Sequence, residues 1–186
     1  MLPVLAVRDR LFFAVRPPYR LAVRIANAAD WHTPDGMAPL AADRLHVTLF
    51  LLPDLHAVTA PLIDQLRHVG DSVRAAPFEM VLDYLSAGAR SIALRPQHRI
   101  RALDRLRGAI AGAARHGGIT ERPGYAFNAH LTLGYRAGDH YGQPIAPVRW
   151  TADELVLIRS RLGRSRHEVI DRWPLRDAPE PQLSLF

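Results

Sequence analysis

The chain contains no cysteine and no lysine. Without cysteine there are no disulfides, no thiolate nucleophile and no cysteine-based metal site. All 24 basic residues are therefore arginine, which offers planar forks suited to phosphate and to stacking on bases. Long hydrophobic runs are missing too, so the sequence holds no transmembrane candidate. The opening "MLPVLAVRDRLFFAV" is apolar, yet Arg8, Asp9 and Arg10 interrupt it and no small-residue cleavage site follows at a plausible place. It does not read as a signal peptide, and a cytoplasmic location is expected.

What is present is a chain of 186 residues, 48% hydrophobic, with a formal net charge of +6. That length and apolar content suit one packed domain or two small lobes sharing an interface, over about residues 1–176. Residues 177–186 have the composition of a mobile tail. The basic balance points to an anionic partner, with nucleic acid the leading class.

Periodicity and turn signals divide the domain. A strand is expected over 10–17 and a helix over 18–29, followed by turn material at "WHTPDGMAP". A strand over 44–52 ends at Pro53. The next helix starts at Thr59 as N-cap, with Pro61 in its first turn, and stops at Gly70. Strands are expected over 77–86 and 90–96. Ile100, Leu103, Leu106 and Ile110 then mark a helix over 97–116, ended by Gly117-Gly118. A strand over 126–135, a polar, glycine-rich loop over 137–147, and strands near 154–161 and 167–173 complete the pattern.

Two segments repeat. "AVRPPYRL" at 14–21 aligns with "ALRPQHRI" at 93–100, an offset of 79, and "HVTL" at 46–49 recurs as "HLTL" at 130–133, an offset of 84. Each half reads strand, Arg-Pro, helix, loop, His-x-Thr strand, the trace of a duplicated unit. The fold class expected is α+β, bilobal, with two halves about a pseudo-two-fold axis and equivalent histidines on opposite sides of one cleft. A monomer is expected, since the internal symmetry already completes the cleft.

Successive strand residues point to opposite faces. His46 and Thr48 therefore share one face while Leu45, Val47 and Leu49 line the other. His130 and Thr132 do the same against Leu131 and Leu133. With nine histidines and six threonines, chance gives roughly 0.3 His-x-Thr units in such a chain, so two in register with a repeat carry information. Paired imidazoles suit in-line displacement at phosphorus: a neutral one takes a proton from water, and a protonated one gives a proton to the leaving oxygen. Threonine hydroxyls can donate to the non-bridging oxygens, with arginine balancing the charge. Arg44 and Arg136 have matching parity, and together with Phe127 they are the substrate-binding candidates. Tyr135 has the opposite parity and reads as packing. The other seven histidines, His167 among them, lack such context and read as ordinary residues. The arrangement requires no metal or cofactor, and the sequence offers neither an HExxH helix nor a cysteine set.

On "RLFFAVRPP", "LHVTLFL", "FNAHLTLGY" and the closing "LVLIRSRLGRSRHEVIDRWPL", the chain resembles the two-histidine phosphoesterase superfamily. Within it, the chain is similar to the RNA 2′,3′-cyclic phosphodiesterase branch, also called the bacterial 2′-5′ RNA ligase family. The resemblance implies a bilobal α+β fold with a sheet in each lobe and hydrolysis of a terminal 2′,3′-cyclic phosphate on RNA to a 2′-phosphate. By the family's usual assignment His46 is the proton donor and His130 the proton acceptor, with Thr48 and Thr132 holding the phosphate. Ligation of tRNA-like halves by the same site is the alternative within the family. A non-enzymatic, arginine-rich RNA-binding or clamp-tethered adaptor is the alternative outside it. The last five residues resemble a bacterial sliding-clamp pentapeptide, which would anchor Gln182, Leu183, Leu185 and Phe186 in a groove of the clamp.

Overall fold

The computed structural model describes residues 8–27, 37–161 and 166–176. The clamp-like pentapeptide lies outside them. Among the described residues, nine strands form one sheet, ordered β7-β4-β5-β6-β3-β1-β8-β9, with β2 pairing β6 at the side. These are β1 (Asp9–Val15), β2 (Ala38–Pro39), β3 (Val47–Leu51), β4 (Phe78–Ala87), β5 (Ser91–Arg95), β6 (Leu131–Tyr135), β7 (Tyr141–Ala152), β8 (Glu154–Arg161) and β9 (Arg166–Pro174). All pairings are antiparallel. Three helices accompany them: α1 (Tyr19–Asn27), α2 (Ala60–Ser72) and α3 (Arg101–His116). The class is mixed α+β. The resemblance implies a separate sheet in each lobe, but here the ladder is continuous, joined at its centre by the pair Val47–Leu131.

Strand β1 shows why the sheet has two different faces. Leu11, Phe13 and Val15 enter the main core, together with Ala22 and Ile25 of α1, Leu66 and Val69 of α2, and Leu103, Leu106 and Ile110 of α3. Phe12 and Ala14 point the other way, into a small cluster with Val156 and Ile158 of β8. Each fully buried side chain of this size stabilises the fold by about 1.5–3 kcal/mol. Burial on both faces explains the unbroken apolar run "LFFAV".

Local chemistry sets the helix limits. Thr59 caps α2, its Oγ1 accepting from the Leu62 amide at 3.4 Å. Gly70 is not the expected stop: α2 continues to Ser72, and Gly70 is buried where an added Cβ would run into the Trp173 ring. Helix α3 starts at Arg101 rather than at 97, because Asp83 Oδ1 accepts the Gln97 amide at 2.7 Å and holds that residue on β4. It ends as expected, Gly118 taking a positive φ of 70°.

The largest departure is the loop expected over 137–147. Residues from Tyr141 onward belong to β7, which pairs with β4 along almost its whole length. Glycine and two prolines gave it the look of a loop. Among the described residues, however, β7 is the edge of the sheet and pairs on one side only, and proline is tolerated there. No helix among the described residues is long and apolar enough to cross a membrane.

Candidate active site

The predicted alternation is present at both motifs. Leu45, Val47 and Leu49 are 1%, 0% and 0% exposed, while His46 and Thr48 are half-buried. Leu131 and Leu133 are buried, with His130 and Thr132 again half-buried. Each histidine lies one residue ahead of its ladder strand, so its ring is carried on the strand's approach. The strand expected to start at 126 begins only at Leu131.

His46, Thr48, His130 and Thr132 all line one cavity of about 300 Å³. Both imidazoles are oriented in the same way. His46 Nδ1 donates to the Arg44 carbonyl, and His130 Nδ1 donates to the Asn128 carbonyl, each at 2.7 Å. A carbonyl only accepts, so Nδ1 carries the proton in both rings and Nε2 keeps its lone pair for exchange with a ligand.

Burial is the main cause that pushes His46 down to about 3, with smaller contributions from His167, His130 and Arg16. Its bond to the Arg44 carbonyl opposes the shift. Burial likewise lowers His130, assisted by the Arg95 guanidinium and opposed by the Asn128 carbonyl. Both rings are therefore neutral at pH 7 in the free site.

Sequence reasoning missed several members of the cavity wall. His167 on β9 meets His46 edge-on, and Phe12 stacks on His46 with ring centroids 4.8 Å apart. Burial also pushes His167 down, to about 4, and its Nδ1 is buried without a hydrogen-bond partner among the described residues. The available signal was register: Ser160 pairs with His167, and Ser160 pairs with Arg10 on β1, two residues from Phe12. Tyr125 and Tyr135 line the cavity as well, and Tyr135 is 53% exposed rather than packed. Parity failed there because the β5–β6 ladder shifts register: Ile92 pairs with Gly134 and Ala93 with Thr132, so Leu133 is an extra residue that flips the faces beyond it.

Of the three substrate-binding candidates, Arg44 lines the cavity. Arg136 does not. Its strand has ended, and its guanidinium lies over the Tyr141 ring and donates to the Asp139 carbonyl. Phe127 lines a separate depression beside α3, with the Arg107 guanidinium 5.1 Å from its ring centroid. Arg10 also reaches the cavity wall, held by Asp54 through Nε–Oδ1 at 2.8 Å. Although several imidazoles share the cavity, among the described residues no three His, Cys, Asp or Glu side chains form a group that could hold a metal ion.

An antiparallel α+β sheet with twin His-x-Thr segments on the wall of one cavity defines a class, and comparison with known proteins gives that class its family. The family model described as the 2′-5′ RNA ligase superfamily matches residues 17–164, and the chain belongs to that superfamily. The RNA 2′,3′-cyclic phosphodiesterase of Escherichia coli (strain K12) is 29% identical over 176 residues, covering 90% of this chain and 97% of the relative. The crystal structure of E. coli LigT complexed with 3′-AMP superposes with a TM-score of 0.74 at 26% identity, covering 90% and 98% of the two chains. The protein TT0787 of Thermus thermophilus shares the fold, with a TM-score of 0.71 at 21% identity and coverage of 90% and 98%.

Proposed function

We propose that the protein hydrolyses the terminal 2′,3′-cyclic phosphate of RNA to a 2′-phosphate, independently of metal. His130 takes a proton from the attacking water while the new P–O bond forms. His46 delivers a proton to the 3′ oxygen as the P–O3′ bond breaks. Thr48 and Thr132 donate to the non-bridging oxygens, and Arg44 balances their charge. Each proton transfer contributes typically ~10²–10⁴-fold. One observation carries the reading: both His-x-Thr pairs line the same cavity, with both rings held by the same bond to the carbonyl two residues back.

The low proton affinity of His46 fits the donor role. Once the anionic substrate has drawn a proton onto it, it is a strong acid beside the leaving oxygen. The strand order supports the duplicated, bilobal architecture. Read outward from the central pair, β6-β5-β4-β7 on one side mirrors β3-β1-β8-β9 on the other, with the two Arg-Pro segments following β5 and β1. The Escherichia coli relative, an RNA 2′,3′-cyclic phosphodiesterase, supports the substrate class.

The test is an RNA oligonucleotide ending in a 2′,3′-cyclic phosphate, incubated in chelator with wild type, His46→Ala and His130→Ala. Ring opening to a 2′-phosphate by wild type, with each variant slower by ~10² or more, is the expected result. Wild-type activity that disappears in chelator, or a variant that matches wild type, overturns the mechanism.

A further inference from the structure

A second cavity of about 250 Å³ adjoins the first, lined by Arg159, Arg161, Arg166, His167 and Glu168. Arg161 and His167 belong to both walls, and strand alternation sets Arg161 and Arg166 on the face opposite Ser160 and His167, so the two spaces lie on either side of the end of this strand pair. The second cavity lies on the β8–β9 hairpin, where Arg161 is paired directly with Arg166 and Arg159 with Glu168. Directly opposed residues of an antiparallel pair share a face, so both guanidinium groups stand side by side.

Their charges are not equally available. Arg159 is committed to Asp9, through Nε–Oδ1 at 3.0 Å and Nη2–Oδ2 at 2.7 Å, and faces Glu168 across the ladder. Neither Arg161 nor Arg166 forms an ion pair among the described residues, although Asp9, already held by Arg159, lies across the ladder from Arg161 and feels its charge. Two like charges directly opposite each other destabilise an antiparallel pair. An anion between them relieves that repulsion, and a phosphate takes the guanidinium fork with two parallel bonds.

We propose that this arginine groove holds the phosphodiester of the nucleotide adjacent to the reacting end, making the preferred substrate a polynucleotide terminus rather than a cyclic mononucleotide. The inference rests on the cyclic-phosphodiesterase reading for its activity assay, but the groove also has a readout of its own. A cyclic mononucleotide has a single phosphate, which the His-x-Thr cavity takes, and leaves the groove empty. An oligonucleotide places its next phosphate beyond His167.

The experiment compares the full-length protein with Arg166→Ser and Arg166→Lys, since Arg166 lines the groove and not the catalytic cavity. The readout is the ratio of kcat/KM for an oligoribonucleotide ending in a 2′,3′-cyclic phosphate to kcat/KM for a 2′,3′-cyclic mononucleotide. Wild type should favour the oligonucleotide, Arg166→Ser should lower the ratio roughly five- to tenfold, and Arg166→Lys should restore part of it. An unchanged ratio overturns the inference. In parallel, fluorescence anisotropy measures binding of an oligonucleotide carrying a 2′-phosphate end to the same proteins across a salt series. Loss of one phosphate contact flattens the logarithmic salt slope by about 0.7. If wild type opens neither cyclic substrate, the cyclic-phosphodiesterase reading fails and the salt slope alone decides the groove. A slope that Arg166→Ser leaves unaltered rejects it.

Discussion

The imidazoles of His46 and His167 meet edge-on, with ring centroids 5.1 Å apart and planes inclined by 67°. The two cannot both be protonated cheaply, and His167 is among the causes that depress His46 after burial itself. Replacing His167 with phenylalanine keeps a ring against Phe12 and removes the charge. His46 should then titrate at higher pH, and so should the acid limb of kcat/KM. NMR titration of the imidazoles and a pH–rate profile both read this. A His46 midpoint that stays in place or moves down would show that the neighbour is only packing.

The same burial has a consequence for stability. His46 binds its proton at about 3 and His167 at about 4 in the folded chain, against about 6.5 unfolded. The unfolded state therefore binds more protons between these values, and folding stability from this pair is whole above 6.5 and drains away as pH falls. Thermal unfolding should show Tm dropping from pH 7 toward pH 4. In a His46→Gln/His167→Gln variant the drop should be shallower. An equal slope in both proteins would place the acid sensitivity elsewhere, with Asp9 and Asp54 the first groups to inspect, since their arginine partners hold both carboxyls below the usual range.

Thr48 and Thr132 should contribute to the transition state more than to binding of the ground state. Replacing either with alanine is expected to lower kcat by roughly 10²–10³-fold, as for loss of one donor to a developing oxyanion. Serine, which keeps the hydroxyl, should retain most of the rate. If alanine raised KM alone, the hydroxyls would be holding substrate without assisting the reaction.

Gly70 offers a test of packing far from the chemistry. Alanine has the higher helix propensity by about 1 kcal/mol, yet its Cβ would collide with Trp173, whose Nε1 donates to Asp71 Oδ1 at 2.7 Å and whose ring packs 5.8 Å from that of Phe13. Overpacking of this kind costs about 1–3 kcal/mol, so Gly70→Ala should be net destabilising by up to about 2 kcal/mol in urea unfolding. A stabilised variant would mean that Trp173 moves aside freely.

How much of this was legible in the sequence depended on which contacts were local. Strand alternation placed His46 and Thr48 on one face and His130 and Thr132 on another, and all four share the cavity. The Thr59 cap was equally readable, because its bond spans three residues. His167 was not, since it reaches the cavity through the pairing of β9 with β8 and of β8 with β1, a relation that no short window contains. Strand β7 was hidden for a similar reason: its prolines speak locally for a loop, while its partner β4 lies about sixty residues away. Arg136 misled because the extra residue Leu133 reverses the parity counted from Thr132, and β6 then stops at Tyr135.

The His46 and His130 rings are aimed by peptide carbonyls, those of Arg44 and Asn128, rather than by carboxylate side chains. A carbonyl is present whatever amino acid occupies the position. A scan that replaces every side chain in turn would therefore uncover no residue responsible for the tautomer of either histidine. Changes at 44 or 128 would register through charge or packing alone. Orientation in this site is carried by the course of the main chain, which resists point mutation and yields to insertions, deletions or proline next to either motif.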